Sequence, residues 1–332
     1  MRNTKNLLLT FLSLFWGVAF LLTGCIYDDL SECPRPFYLK VKAIDADNKD
    51  ITSGGAVQSV VLFFFDEAGN CLQTRELNAA QIVAQKPVFV ESKGASKITC
   101  VAWGNPSEDD RKRFSSITRL SDLYVRLVSQ DGIAESPTDL FAGSIEHEIE
   151  YDLNKKNSTI TVEISRRTAE VTVTVLGYKS WAEHLKTSPL RASQTIADAI
   201  ILGTTPDTYI SHQQLGGDPV SYRPKGMIEG SGDLIVAPFC IFPTLNAAPL
   251  VLDLYANGKK QLSFTESSDG KKFVPEVGRM LNILIDMRSS SLNTLVVVTP
   301  WDVVHQFATY ESPRCIGCEN PCKKQNLKDE TK

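Results

Sequence analysis

The chain has 332 residues, 42% apolar and 22% charged, with a formal net charge of −4. These are globular proportions with room for about two domains of ~150 residues each. Lysine and arginine are too scattered for the basic stripe of a nucleic-acid binder, and after Cys25 no apolar run approaches the ~20 residues of a membrane-spanning helix.

At the N-terminus Arg2 and Lys5 precede an apolar run from Leu7 to Leu22, which ends in Leu22-Thr23-Gly24-Cys25. A positive start, an apolar stretch and small residues before the cut make a signal peptide. A cysteine at the cut marks the lipoprotein variant, in which the new N-terminal thiol carries a diacylglyceryl group. Cleavage is therefore expected between Gly24 and Cys25, leaving residues 25–332 fixed to a bilayer through acyl chains on Cys25. Two or three chains hold firmly. An uncleaved membrane helix is the alternative, and 16 residues are short for one. Asp28, Asp29 and Glu32 resemble the surface-export signal of Bacteroidetes lipoproteins, which favours the outer membrane, facing outward.

Beyond a linker over 25–36, the recurring period is two, so a mainly β chain is expected. Phe37, Leu39, Val41 and Ala43 share one face of a first strand. Val60 to Phe65 reads as a buried strand running into the turn Asp66-Glu67-Ala68-Gly69-Asn70. Pro87 to Val90 and Lys97 to Trp103 follow. Between Pro106 and Leu127 the pattern changes to two short helices, the first started by Ser107-Glu108-Asp109-Asp110 and the second carrying Leu120, Leu123, Tyr124 and Leu127. Strands return at Ile145 to Tyr151, Thr159 to Ile164 and Ala169 to Val175. A boundary near Arg167 divides an N-terminal sandwich, 37–166, from a C-terminal one, 167–312. The second half has expected strands at Ala197 to Leu202, Leu234 to Phe242, Leu250 to Tyr255, Gln261 to Phe264, Met280 to Met287 and Leu295 to Val298. Gly216-Gly217-Asp218-Pro219 and Ser267-Ser268-Asp269-Gly270 are read as loops. Seven or so strands per half fits two sandwiches. Residues 313–332 form a polar, cysteine-rich tail.

Several of these pieces carry a family resemblance. The lipobox cysteine followed by Asp28-Asp29-Leu30-Ser31-Glu32-Cys33-Pro34, the first strand ending in Asp45, the Val60 to Phe65 strand with Asp66, Trp103-Gly104-Asn105, and Ile164 to Val175 with Arg167 together resemble the FimB-type fimbrial anchor lipoproteins of Bacteroidales. The resemblance implies two tandem transthyretin-like β-sandwich domains with short helical crossovers. It also implies an anchor or accessory role at the base of a type V fimbria, with pilin subunits as partners. In the related stalk pilins, as the family is understood, proteolysis removes a first strand and opens a groove for a neighbour's C-terminal strand. An anchor should keep its first strand, and Arg35, held between Pro34 and Pro36, is a poor site for arginine-directed cleavage. Arg75 remains open as a site.

An incomplete sandwich leaves unpaired backbone groups beside an apolar groove, which another subunit's strand can fill. The candidate donor here is Thr294-Leu295-Val296-Val297-Val298-Thr299, β-branched and near the end of the chain. The plainer reading makes it the last core strand of the second half.

Lipid takes one of the eight cysteines. Cys315, Cys318 and Cys322 have spacing that suits a zinc or iron-sulfur site. On an oxidising surface disulfides within the tail, or back to Cys33, are the better expectation. Cys71, Cys100 and Cys240 suit plain core positions. No metal and no cofactor beyond the Cys25 lipid is expected. Four scattered histidines and the absence of hydrolase, metalloprotease or phosphate-loop motifs argue against an enzyme. His147-Glu148 reads as structural, and Asp45, Asp47, Asn48 and Asp50 as a solvated turn lacking EF-hand glycine and glutamate. A surface glycan-binding or adhesin lipoprotein is the alternative function, and Trp103, Trp181 and Trp301 are its candidate platform.

Overall fold

The alternation that starts the body becomes strand β1 (Phe37–Ile44), with Phe37, Leu39, Val41 and Ala43 buried and the residues between them half-exposed. The structure is a computed structural model that describes residues 29–185, 196–197, 200–209, 214–256, 258–289 and 292–305. The signal segment, Gly24, Cys25 and the tail cysteines Cys315, Cys318 and Cys322 lie outside the described residues.

The first half continues with β2 (Ser59–Phe65), β3 (Cys71–Asn78), β4 (Val88–Val90) and β5 (Lys97–Gly104). After an excursion carrying β6 (Val125–Arg126), β7 (Ser129–Gln130) and β8 (Ile133–Ala134), it closes with β9 (Phe141–Glu148) and β10 (Thr159–Arg166). One sheet runs β3-β2-β5-β9-β10-β1-β4. It curls on itself around a core drawn from β1, β2, β5 and β10, so that the Phe37 ring of β1 lies 4.4 Å from that of His147 on β9. Gly143 permits the close approach of the neighbouring β10, since a Cβ there would sit 1.9 Å from the Glu163 carbonyl oxygen.

The unbroken apolar run of β2 has a physical reason. Val60, Leu62 and Phe64 face this first core, while Val61, Phe63 and Phe65 face a second one. A strand covered on both faces shows no alternation.

The second half comprises β11 (Ala169–Leu176), β12 (Ile196–Ala197), β13 (Ile200–Tyr209), β14 (Leu215–Tyr222), β15 (Gly226–Ile228), β16 (Leu234–Ile241), β17 (Val251–Ala256), β18 (Lys259–Phe264), β19 (Arg279–Asp286) and β20 (Asn293–Pro300). One of its sheets runs β12-β15-β16-β11-β19-β20 and the other β18-β17-β13-β14-β8-β7, with β6 paired to β13. The second core between them takes Val171, Val173, Val175, Leu252, Leu254, Leu281 and Ile283. Phe63, Trp103 and Phe114 of the first half join the same core, with Trp103 in edge contact with Tyr209 at 6.2 Å.

The chain is mainly β, as the period of two required. Three expectations change in detail, and one strand goes unforeseen. The helix after Ser107 forms over Glu108–Phe114, with a reciprocal Ser107 and Asp110 cap, but the second helix does not. Leu120–Asp122 is a single 3-10 turn, and Leu123, Val125 and Leu127 then enter the second core in extended form. Backbone pairing of Val125 with Tyr209 outweighs their helical spacing. The strand expected over Ile145 to Tyr151 starts at Phe141 and ends at Glu148, and Tyr151 is exposed. Gly216-Gly217-Asp218-Pro219 lies inside β14, at a register shift against β13. There Gly217 has φ +88, and a Cβ would strike Asp207. Strand β3 was not legible, because CLQTRELN is a sheet edge with its middle exposed and therefore carries no apolar alternation.

The expected division at 166–167 falls on the link from β10 to β11. Residues 125–134, from within the 37–166 stretch, hydrogen-bond into a sheet of the second half through β13 and β14.

Candidate anchoring and docking elements

Five segments meet at one end of the curled sheet. These are the start of β1, the ends of β4 and β9, and the starts of β5 and β10, with Phe37 opposite Val90, Lys97 opposite Glu148 and Tyr38 opposite Thr159. The linker is fastened here. The Leu153 N–H donates to the Leu30 carbonyl at 3.0 Å, the Asp152 N–H to that of Cys33 at 3.0 Å, and the Arg35 N–H to that of Glu150 at 2.7 Å. Arg35, only 7% exposed, also donates from Nη1 to the Glu150 carboxylate at 2.5 Å. The arginine expected to resist cleavage is thus inside the fold as well as flanked by prolines. Arg75 is exposed on β3, its backbone paired with β2 opposite Leu62.

β1 is hydrogen-bonded to β10 in parallel from Tyr38 to Ile44 on one edge, and to β4 antiparallel over Phe37 to Leu39 on the other. Its apolar face fills the first core. The linker leads straight into this strand.

Residues Thr294 to Thr299 form most of β20, which lies at a sheet edge and pairs with β19 from Asn293 opposite Asp286 to Pro300 opposite Arg279. Thr294 is buried and Val296 joins the second core, while Val298 is 42% exposed. Both ends of the outer edge are capped. Ser268 exchanges hydrogen bonds with Thr294, accepting its N–H at Oγ (2.8 Å) and donating its own N–H to the carbonyl (2.9 Å). At the other end the Val303 N–H returns to the Pro300 carbonyl at 3.2 Å. A fully buried amide, Asn282 of β19, holds the strand across the sheet. Its Nδ2 donates to Val297 O (3.2 Å) and Thr299 Oγ1 (2.9 Å), and its Oδ1 accepts the His305 N–H (2.9 Å).

β20 ends where the two halves meet. The Arg166 guanidinium lies between the rings of Trp301 (4.3 Å) and Phe141 (4.9 Å) and donates from Nε to Asp139 at 2.9 Å. The Asp302 N–H donates to Glu170 at 3.2 Å. Burial pushes the carboxyl groups of Asp139 and Glu170 above the usual carboxylate range, in Asp139 against the lowering pull of Arg166. Asp47, in the turn after β1, pairs with Arg279 of β19 at 2.5 Å, and this pairing holds its carboxyl below the usual range.

The remaining sequence candidates fall apart in space. His147 packs on Phe37, and burial lowers its pKa. Trp103 is wholly buried, Trp181 packs beside Tyr178 and Trp301 covers Arg166, so the three make no common platform. Asp45 accepts the N–H groups of Asp47 and Lys49, as in an ordinary turn. Among the described residues Cys33, Cys71, Cys100 and Cys240 form no disulfide with one another. Of the three cysteines expected in the core only Cys100 is buried there, Cys71 and Cys240 being half-buried; burial raises the Cys100 and Cys240 thiols, the latter to about 12, which disfavours the reactive thiolate. No helix among the described residues is long and apolar enough to cross a membrane.

A family model described as fimbrillin-A associated anchor proteins Mfa1 and Mfa2 matches residues 30–307. Proteins named Major fimbrium anchoring subunit FimB, from two strains of Porphyromonas gingivalis, are 45% identical to the chain over 310 residues, which is 93% of the chain and 100% of each relative. The solved structure of the fimbrial anchor protein Mfa2 from Porphyromonas gingivalis aligns with a TM-score of 0.54 at 14% identity, covering 81% of this chain and 98% of that one. That last likeness concerns the fold alone.

Proposed function

The chain belongs to the family of fimbrillin-A associated anchor proteins, and from that premise we propose that this fimbrial anchor or accessory subunit is held at the outer membrane by lipid on Cys25 and joins pilin by β-strand exchange. The observation that carries the reading is the state of β1. It is paired with β10 along one edge and with β4 at the start of the other, its apolar face is buried, and it is tied through Arg35 and Glu150 to the linker that leads back to Cys25. A subunit whose groove is filled by its own first strand has no need of a donor from below, which is the requirement at the membrane end of a filament. The edge strand β20, at the other half, then supplies the junction to a pilin through residues Thr294 to Thr299. Its role is structural, and the relatives' names describe anchoring rather than catalysis.

The test is affinity purification of the tagged protein from outer membranes in mild detergent. Pilin is expected to co-purify, and recovery should fall at least tenfold for Val298→Lys, a substitution at a side chain already 42% exposed in this fold. Polysaccharide without pilin, from a folded and lipid-bearing protein, would overturn the anchor reading in favour of glycan binding.

A further inference from the structure

The end of the first half nearest the linker carries an apolar surface that neither core uses. Leu30, Tyr151 and Leu153 are 36%, 50% and 39% exposed. The Leu153 N–H bond to Leu30 O and the bridge between Pro34 and Tyr151 fasten the two segments that carry them together at this end. Exposed Lys155 and Lys156 follow directly. The chain itself limits where this surface can go. Leu30 is five residues from Cys25, so it cannot lie more than about 18 Å from the lipid-bearing residue even if the link is fully extended.

We propose that Leu30, Tyr151 and Leu153 form a foot that rests in the lipid surface to which Cys25 is attached. This rests on the lipoprotein reading given above and adds a second point of contact to it. Leucine and tyrosine side chains suit the boundary between headgroups and acyl chains, and the lysine stems beside them can lie along it with their charges in water. Charge contributes little to the contact. Asp29, Glu32, Glu150 and Asp152 offset Arg35, Lys155 and Lys156, two of these pairs being the Arg35–Glu150 and Lys155–Asp152 bridges. An anchor attached only by a flexible link would tumble about it. Contact through the foot fixes the strand axis relative to the bilayer, because the foot and the start of β1 are at one end of the sheet. At the other, the β1 turn residue Asp47 pairs with Arg279 of the second half. β20 is then carried away from the membrane.

The experiment uses the full lipid-bearing chain in phosphatidylethanolamine and phosphatidylglycerol vesicles whose acyl chains are brominated. Tyr151→Trp should add tryptophan emission that these lipids quench at least twofold more than the native tryptophans, equally at 0.1 and 0.5 M salt. Adding Leu30→Ser and Leu153→Ser should remove that extra quenching while the melting temperature stays within about 2 °C. An unquenched indole in the Tyr151→Trp variant, on a protein whose intact mass shows the lipid, would overturn the foot and leave the anchor standing. A mass without lipid would instead overturn the lipoprotein reading and the foot with it. Protection of this segment from hydrogen exchange only in whole envelopes, never in protein-free vesicles, would assign the surface to a protein partner and likewise overturn the proposal.

Discussion

Asn282 shows how one buried amide can specify where a strand lies. The rest of β19 is apolar except at its ends, and a slip of β20 by one residue would leave Asn282 without Thr299 and with its donors facing valine methyl groups. Asn282→Leu removes these bonds and frees the Val297 carbonyl from one donor. Its expected cost is about 1–3 kcal/mol, read in urea denaturation, with faster hydrogen exchange confined at first to Val297 to Thr299. A variant as stable as wild type, with unchanged exchange, would contradict this role. Glu170 gives a pH signature. Its folded-state pKa is raised by burial, so between the ordinary value of 4.5 and that raised value the native state binds more protons than the unfolded chain. Stability therefore declines as pH rises through that window. Glu170→Gln keeps an oxygen for the Asp302 N–H but cannot ionise, and the stability of wild type relative to the variant should fall from pH 4 to pH 7. A constant difference would show that the carboxyl is no harder to ionise in the fold than out of it.

Among the elements, β1 and β20 differ in how they are held. β1 lies between two strands, with one face in a closed core, whereas β20 has one partner, two edge caps and a half-exposed Val298. Opening free energies should follow that order. Arginine-specific digestion of the folded protein is accordingly expected to leave Phe37 to Ile44 attached, as the intact mass of the largest product would reveal. Arg35 is buried and precedes proline, and Arg75 sits in a paired strand. Loss of β1 under native conditions would remove the argument that this subunit fills its own groove.

For the whole molecule, the two halves share material rather than merely touching. Residues 125–134 leave the first half to join a sheet of the second, and Trp103 meets Tyr209 in a common core. Calorimetry should therefore show one unfolding transition. Arg279→Ala, which removes the exposed pair with Asp47, should leave stability nearly unchanged and preserve that single transition. Trp103→Ala should cost about 3–5 kcal/mol and lower the melting temperature of both halves together. Two separated transitions in wild type would show that the shared core does not couple them.

Sequence alone determined the local order of this protein: the mainly β class, the apolar face of β1, the buried run of β2, the cap at Ser107 and the strand that becomes β20. Each of these is written in side chains near one another in the chain, as a period, a run or a spacing. The lipoprotein reading proposed for Cys25 likewise rests on local spacing alone. Only the tertiary structure decided that Leu123 to Leu127 run extended, that Gly216 to Pro219 sit within a strand, and that residues 125–134 serve the other half's sheet. It alone placed Asn282 beneath β20 and Leu30 beside Leu153. Those outcomes depend on partners distant in sequence, whose backbone hydrogen bonds and close contacts outweigh local preference and leave no periodic trace in the residues themselves.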